Sequence, residues 1–237
     1  MKFVQALFSL KYEPQIKIRR SANDIEDILE EYYEPPQTIP VPDNFAAEAP
    51  RISLTSKNGH SQINFSQISM DLAVHFDGEF LSEFNLTKAY IIERLELLKS
   101  LLEKIGISDF YFCGLSYNIQ MDTIGKHPIE YMKQYLGSSV KGDIYEASQR
   151  IAQIRDERFF VNQQIGTYRE YLGANGAIQD LMVFSNSKLL SEGVSLNLDV
   201  NNRYEYMSIG KKKAIGCFSD IIAEIYDIIE ECLGDWS

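Results

Sequence analysis

Residues 51–76 read RISLTSKNGHSQINFSQISMDLAVHF, and this stretch decides the fold class. Asn58-Gly59 separates two runs in which apolar and polar residues alternate, and both residues tolerate the positive φ of a tight hairpin turn. The pattern predicts a β-hairpin with a two-residue turn. In the return run the apolar residues change parity between Phe65 and Ile68, which indicates a β-bulge near Ser66-Gln67 within one long, bent strand.

A hairpin followed by a long amphipathic helix occurs twice along the chain. The first copy covers residues 51–105, and the second covers residues 159–233 with Asn175-Gly176 at its turn. Each copy ends in a predicted helix, at 86–105 and at 211–233, whose apolar residues recur at intervals of three and four. The copies share no residue-level identity, so the recurrence fits either a duplication or structural similarity alone.

Further runs predict strands at 3–12, 107–121 and 194–200 and a short acidic helix at 21–33. The order of elements predicts an α+β fold: a mainly antiparallel sheet of about seven strands, with two long helices packed on one face. The other face is left to solvent, a ligand or a partner.

We expect a single domain over residues 1–237, with a division into 1–137 and 138–237 as the alternative. Residues 35–50 hold five of the seven prolines. This segment is therefore predicted to be extended, as a linker or as an arm on the surface.

The composition disfavours whole classes of function. A net charge of −11 and a pI near 4.8 disfavour binding to nucleic acid or to an anionic membrane, which requires clustered Lys and Arg. No apolar run is long enough for a membrane span, and the N-terminal residues do not resemble a secretory signal. Three scattered cysteines fit neither a disulfide framework nor a zinc knuckle. These features predict a cytoplasmic protein.

The motifs of nucleophilic, metal-dependent and phosphate-binding enzymes are missing from the sequence, so we predict no cofactor and favour a protein without catalytic activity. Asp71, His75 and Asp77 share the polar parity of one predicted strand. They could bind a divalent cation and serve a metal-dependent hydrolase or nuclease. A solvated sheet face explains the three residues equally well.

Acidic and tyrosine side chains remain as candidates for binding. Glu26, Glu30 and Glu31 cluster in the predicted first helix, and Tyr204 and Tyr206 alternate at the predicted end of a strand. Acidic faces steer basic partners, and tyrosine is favoured at protein interfaces. We therefore predict a non-catalytic accessory protein that binds a protein partner of basic character, and a homo-oligomer is also compatible. The alternative is a small-molecule-binding domain with an apolar pocket between sheet and helices.

One strand also carries a family resemblance. Residues 113–119 read CGLSYNI, and the Leu198-Asp199 pair precedes the last helix. In these features the chain resembles a sporadically distributed prokaryotic family with a Gly-Leu-Arg-Tyr-Ile-Asn strand after its first long helix. Ser116 stands where that family has arginine, and Asn118 directly follows Tyr117. The resemblance implies no particular activity, and its sporadic distribution suggests an accessory gene of a conflict or defence system.

Overall fold

A computed structural model of the chain describes residues 1–136, 143–172, 178–179 and 188–236. The strands are β1 (Lys2–Tyr12), β2 (Gln37–Thr38), β3 (Ile52–Thr55), β4 (Ser61–Phe65), β5 (Ser69–His75), β6 (Asp109–Met121), β7 (Ser148–Arg155), β8 (Phe159–Leu172), β9 (Ile178–Gln179), β10 (Lys188–Asn201) and β11 (Lys213–Ala214). The helices are α1 (Ala22–Leu29), α2 (Phe84–Lys104), α3 (Pro128–Met132), α4 (Arg203–Ile209) and α5 (Phe218–Asp235).

The fold is α+β, and its strands form one antiparallel sheet in the order β2-β3-β4-β5-β1-β6-β10-β8-β7. Two further strands lie outside this order: β11 pairs with β6, and β9 pairs with β8. The expected count of about seven strands was too low, since the described residues form eleven. Three of the additional strands contain two residues each, too few to show an alternation in the sequence.

The recurrence along the chain is larger than the predicted hairpin and helix. Apart from the two-residue strands, each half begins with a strand and a short helix, β1-α1 or β6-α3, and continues through three strands to a long helix, α2 or α5. The three strands are β3, β4 and β5 in the first half and β7, β8 and β10 in the second, where α4 also precedes α5. In each half the first strand pairs with the last of the three, β1 with β5 and β6 with β10, and the earliest of the three, β3 or β7, lies farthest from the centre of the sheet, with only the two-residue β2 beyond β3. β1 and β6 pair with each other, so the two halves join at the centre of one continuous sheet.

β4 and β5 are two strands of a tight hairpin, so the prediction of one long strand with a bulge was wrong. They pair from Ser61↔Val74 to Phe65↔Met70. The Ser66 hydroxyl oxygen accepts hydrogen bonds from the backbone N–H groups of Ile68 at 3.1 Å and Ser69 at 2.8 Å. These bonds close a turn, and the reversal of the chain produces the change of parity.

The Asn58-Gly59 hairpin joins β3 to β4 as predicted. Its loop is longer than two residues, because the Gly59 N–H donates to the Ser56 carbonyl oxygen at 2.8 Å and β4 begins only at Ser61. Gly59 has φ +75°, a conformation that glycine adopts without steric cost. The second predicted turn, Asn175-Gly176, lies outside the described residues.

One face of the sheet is apolar and carries the core. β10 contributes four alternating residues that are fully buried, Val194, Leu196, Leu198 and Val200. Both long helices cover this face, since Phe84 of α2 and Tyr226 of α5 each contact Tyr117 of β6. α5 begins at Phe218 instead of near residue 211, because residues 213–217 form β11 and a short 3₁₀ turn. None of the helices in the described ranges is long and apolar enough to cross a bilayer.

Residues 35–50 lie against the body of the protein. Arg51 is fully buried at their end, and its guanidinium donates to the backbone carbonyl oxygens of Ala49 at 2.7 Å, Phe45 at 3.2 Å and Ala46 at 3.3 Å. Arg19 pairs with Asp43 and also donates to the Ile39 carbonyl oxygen at 3.0 Å. The proline-rich segment is therefore an anchored arm rather than a free linker.

Candidate functional site

The first candidate site is an acidic cleft between α1 and the β3–β4 turn. Glu26, Glu30 and Glu34 line this cleft of about 310 Å³ together with Lys57, while Leu29, Tyr33, Pro35 and Leu54 supply its apolar surface. Below, "acidic cleft" denotes these eight residues.

Local packing explains the shape of the acidic cleft. Ile25 and Leu29 are the buried stripe of α1, so Glu26 and Glu30, one position further along, lie on its exposed side. The helix is shorter than the predicted span of 21–33, and Tyr33 beyond its end forms a bridge to Ser56. Burial raises the pKa of the Tyr33 phenol to about 12, so this hydroxyl stays neutral.

The acidic residues of α1 serve different contacts. Asp24 and Asp27 lie 3.8 and 3.9 Å from the Lys104 ammonium of α2, where they help to attach α1 to the body. Glu26 and Glu30 have no ion pair within the described part of the chain. Glu31 is exposed but does not line the acidic cleft. Two of the three predicted glutamates thus share one concave site.

Tyr204 and Tyr206 lie on α4, so their predicted place on a strand was wrong. β10 ends at Asn201, and the Asn201 side-chain oxygen accepts from the Arg203 N–H at 3.3 Å in a turn that immediately precedes α4. The Tyr204 ring packs edge-on against Phe160 at 5.3 Å. Tyr206 contacts the rings of Tyr111 at 5.1 Å and Phe112 at 5.9 Å. Both tyrosines are half-buried by these contacts.

The glutamates and the tyrosines do not form one surface. α1 packs on α2, which covers the apolar face of the sheet. Tyr204 contacts Phe160, which precedes the inward-facing Val161 on β8 and therefore belongs to the other face. The predicted acidic, tyrosine-containing surface is thus divided between two sides of the sheet.

Asp71, His75 and Asp77 are not gathered into a metal site. Asp71 accepts hydrogen bonds from the hydroxyls of Ser9 at 2.5 Å and Ser69 at 3.2 Å, while Asp77 lies 3.7 Å from a ring nitrogen of His60. In the described ranges no group of three or more His, Cys, Asp or Glu residues is arranged to hold a metal ion. Asp71 and His75 do share the open face of β5, as their parity indicated.

The second candidate site lies on the open face of the sheet, on β6, β7, β8 and β10. Ser116 and Asp199 of this face were noted in the sequence only for the family resemblance, and no residue of these strands was predicted to form a site. Two cross-strand rows occupy its centre: Gln5, Asn118, Asn197, Gln164 and Arg150 in one, and Leu7, Ser116, Asp199, Asn162 and Ala152 in the other. Six of these residues, Ser116, Arg150, Asn162, Gln164, Asn197 and Asp199, line a pocket of about 310 Å³. We call this the polar sheet pocket.

Asp199 is the half-buried carboxylate of the polar sheet pocket. Its Oδ2 atom accepts hydrogen bonds from the side-chain amides of Asn162 at 2.8 Å and Asn201 at 2.9 Å. Desolvation raises the pKa of Asp199, while the two amide bonds and the charge of Arg150 act in the opposite direction. A carboxylate among amides and one guanidinium can bind hydrogen-bond donors and cations.

No family model matched the chain, and no curated protein matched it either. The resemblance of residues 113–119 to a prokaryotic family stays a prediction.

Proposed function

We propose that this chain is a non-catalytic protein that binds a basic protein partner through the acidic cleft. The proposal rests on one observation: three carboxylates and an apolar surface line the same concave site. Two of these carboxylates, Glu26 and Glu30, have no ion pair in the described part of the chain. The Lys57 ammonium lines the same cleft. With three carboxylates and one ammonium, the cleft has a formal net charge of −2.

The chemistry of the cleft fits a long cationic side chain. The methylene stem of an arginine or lysine can lie on Leu29, Tyr33 and Leu54 while its charged head meets the carboxylates. Such pairs at a partly exposed site steer association more than they add affinity, and salt screens them. Binding through this cleft is therefore expected to weaken as ionic strength rises.

The remaining predicted residues take secondary places in this proposal. Glu31 adds to the negative field beside the cleft, and Tyr204 and Tyr206 offer a separate contact region on the other side of the sheet. By analogy with the family resemblance, the partner belongs to a prokaryotic conflict or defence system.

The test compares three forms of the protein as bait for extracts of the native host. The cleft variant carries Glu26→Gln, Glu30→Gln and Glu34→Gln. The matched control removes the same charge from three exposed acids elsewhere, through Glu48→Gln, Glu79→Gln and Asp227→Asn. We expect a basic protein to be retained at low salt by the wild type and by the control, and to be lost from the cleft variant.

The same comparison at high salt should release the partner from every bait. Retention of the same protein by the cleft variant would remove the acidic cleft from the interface. A wild-type bait that retains nothing at low salt would refute the proposal as a whole.

A further inference from the structure

We propose that the polar sheet pocket binds a small zwitterion, a free amino acid or a short peptide, whose ammonium group pairs with Asp199 and whose carboxylate pairs with Arg150. This site is separate from the acidic cleft, because its six residues lie on β6, β7, β8 and β10. A small-molecule site here adds to the proposed protein binding and does not depend on it.

The sheet register brings these side chains to one place. Asp199 pairs with Ser116 on one side and with Asn162 on the other. Arg150 pairs with Gln164, which in turn pairs with Asn197. The two rows are neighbours on the same face, since residues two apart on a strand point in the same direction. A carboxylate and a guanidinium therefore flank a pocket lined otherwise by amides and one hydroxyl.

The carboxylate of Asp199 has one oxygen, Oδ1, that can accept a hydrogen bond from a cationic donor. Both amide bonds go to Oδ2, and Oδ1 has no hydrogen bond within the described part of the chain. A half-buried carboxylate with an unused oxygen gains from a charged N–H donor, which offsets its desolvation and completes its hydrogen bonds.

Arg150 supplies the opposite charge. Its side chain is exposed on β7, and no ion pair or hydrogen bond of the described residues occupies its guanidinium. Arginine binds carboxylates through two parallel N–H···O bonds, so an unpaired guanidinium beside a pocket suits a ligand carboxylate. The neighbouring amides of Gln164 and Asn197 can bind either end of the same ligand.

The balance of charge selects a zwitterion over other polar ligands. A phosphate or nucleotide would place its negative charge near Asp199 as well as near Arg150. A neutral sugar could bond to the amides but would leave the guanidinium without a counter-charge. A ligand with one ammonium and one carboxylate satisfies both charged side chains, and a volume of about 310 Å³ holds an amino acid or a short peptide.

The experiment screens the common amino acids and a set of dipeptides against the full chain by thermal shift, followed by calorimetric titration of the compounds that bind. A ligand that binds only the folded state raises the melting temperature. Each binding compound is then titrated again in two blocked forms, one N-acetylated and one amidated at its carboxyl group. We expect both blocked forms to lose binding, because each lacks one of the two charges.

Two variants and two controls complete the test. Asp199→Asn and Arg150→Gln should each weaken binding by roughly tenfold to a hundredfold, the range that corresponds to one charge-assisted hydrogen bond. Arg150 is exposed, so we expect its substitution to leave the fold intact. Asp71→Asn changes a hydrogen-bonded carboxylate outside the pocket, and Arg20→Gln changes an exposed guanidinium elsewhere; both should bind as the wild type does.

If only free amino acids bind, they are the ligand class of this pocket. If only dipeptides bind, the ligands are short peptides. If no compound binds, or if binding survives blocking of either charge, or if both pocket variants bind like the wild type, the proposal is overturned. None of these outcomes bears on the capture of a protein by the acidic cleft.

Discussion

Gly114 shows how closely neighbouring strands approach at a single residue. A Cβ atom at this position would lie 2.5 Å from the Asn201 Cβ and 3.2 Å from the Val200 carbonyl oxygen. Both of these atoms belong to β10, so the contact cannot be relieved by turning a flexible side-chain end. The glycine of β6 is thus required by the approach of the next strand.

We expect Gly114→Ala to lower the free energy of unfolding by about 1–3 kcal/mol, the usual cost of overpacking. Urea denaturation measures this change. Gly216→Ala is the control, because no atom lies within 4 Å of a Cβ built there, and it should change stability by less than about 0.5 kcal/mol. Equal stability of the two variants would contradict the predicted clash.

Tyr33 and Tyr117 are two of the buried phenols that contribute to the response of the protein to alkaline pH, and burial raises the pKa of Tyr12 and Tyr226 still further. Burial raises the pKa of both Tyr33 and Tyr117 to about 12. The unfolded chain releases these protons near pH 10, whereas the folded chain keeps them to about pH 12. The stability that these two phenols contribute is therefore fully present below about pH 10 and is lost as the pH rises from there to 12.

Denaturant titrations at a series of alkaline pH values test this dependence. Tyr33→Phe and Tyr117→Phe should each make the decline of the unfolding free energy with pH shallower. Each substitution removes one phenol whose pKa is higher in the folded chain than in the unfolded chain. An unchanged decline in both variants would show that other groups govern the alkaline response.

At the scale of elements, the β4–β5 hairpin is held by a serine instead of by glycine or asparagine. Removal of the Ser66 hydroxyl leaves two backbone donors of the turn, those of Ile68 and Ser69, without their acceptor. We expect Ser66→Ala to destabilise the protein by about 1–2 kcal/mol in urea denaturation. Ser82→Ala is the matched control: its exposed hydroxyl makes one bond of 3.3 Å, and the substitution should be nearly neutral. A neutral Ser66→Ala would mean that strand pairing alone sets the turn.

The proline-rich arm depends on one buried cation. In Arg51→Met the backbone carbonyl oxygens of Ala49, Phe45 and Ala46 lose the donor that now binds them. We expect residues 42–49 to exchange their amide hydrogens faster and to become cleavable in limited proteolysis. Arg20→Met, which changes an exposed side chain nearby, should leave this protection unchanged. Unaltered protection in Arg51→Met would assign the anchoring of the arm to Arg19 and Asp43 instead.

The whole molecule is organised around the β1–β6 pair, which joins the two halves. Buried residues of both halves belong to one hydrophobic cluster, including Phe8 of β1, Leu115 of β6 and Phe218 of α5. A shared sheet and a shared core couple the halves energetically.

We therefore expect the two halves to unfold together. Trp236 is the only tryptophan, and it lies in the second half, where its indole N–H donates to the Gln163 side chain at 2.6 Å. Its fluorescence and the far-ultraviolet circular dichroism of the whole chain should give the same denaturation midpoint. Two separate midpoints would instead indicate a division of the chain into independently folding parts.

The strength of local patterns decided how much of this fold could be predicted. β1, α2 and the central part of β10 were predicted because buried faces impose an alternation or a helical period on the sequence. β7 was missed because it is an edge strand, on which Ile151 and Ile154 remain exposed and no buried face imposes a period. The Ser66 turn was missed because the reversal depends on side-chain hydrogen bonds, without a glycine or asparagine to mark it.

The sequence by itself determined the α+β class, the apolar face of the sheet and the acidic character of α1. Residue type fixes charge and polarity, and the spacing of apolar residues shows which face of an element is buried. Only the tertiary structure decided that Glu26 and Glu30 share a cleft with Leu54, and that Asp199 and Arg150 flank one pocket. Those residues come from different strands and helices. Their meeting depends on strand order and register, which are set by long-range pairing and not by any local pattern.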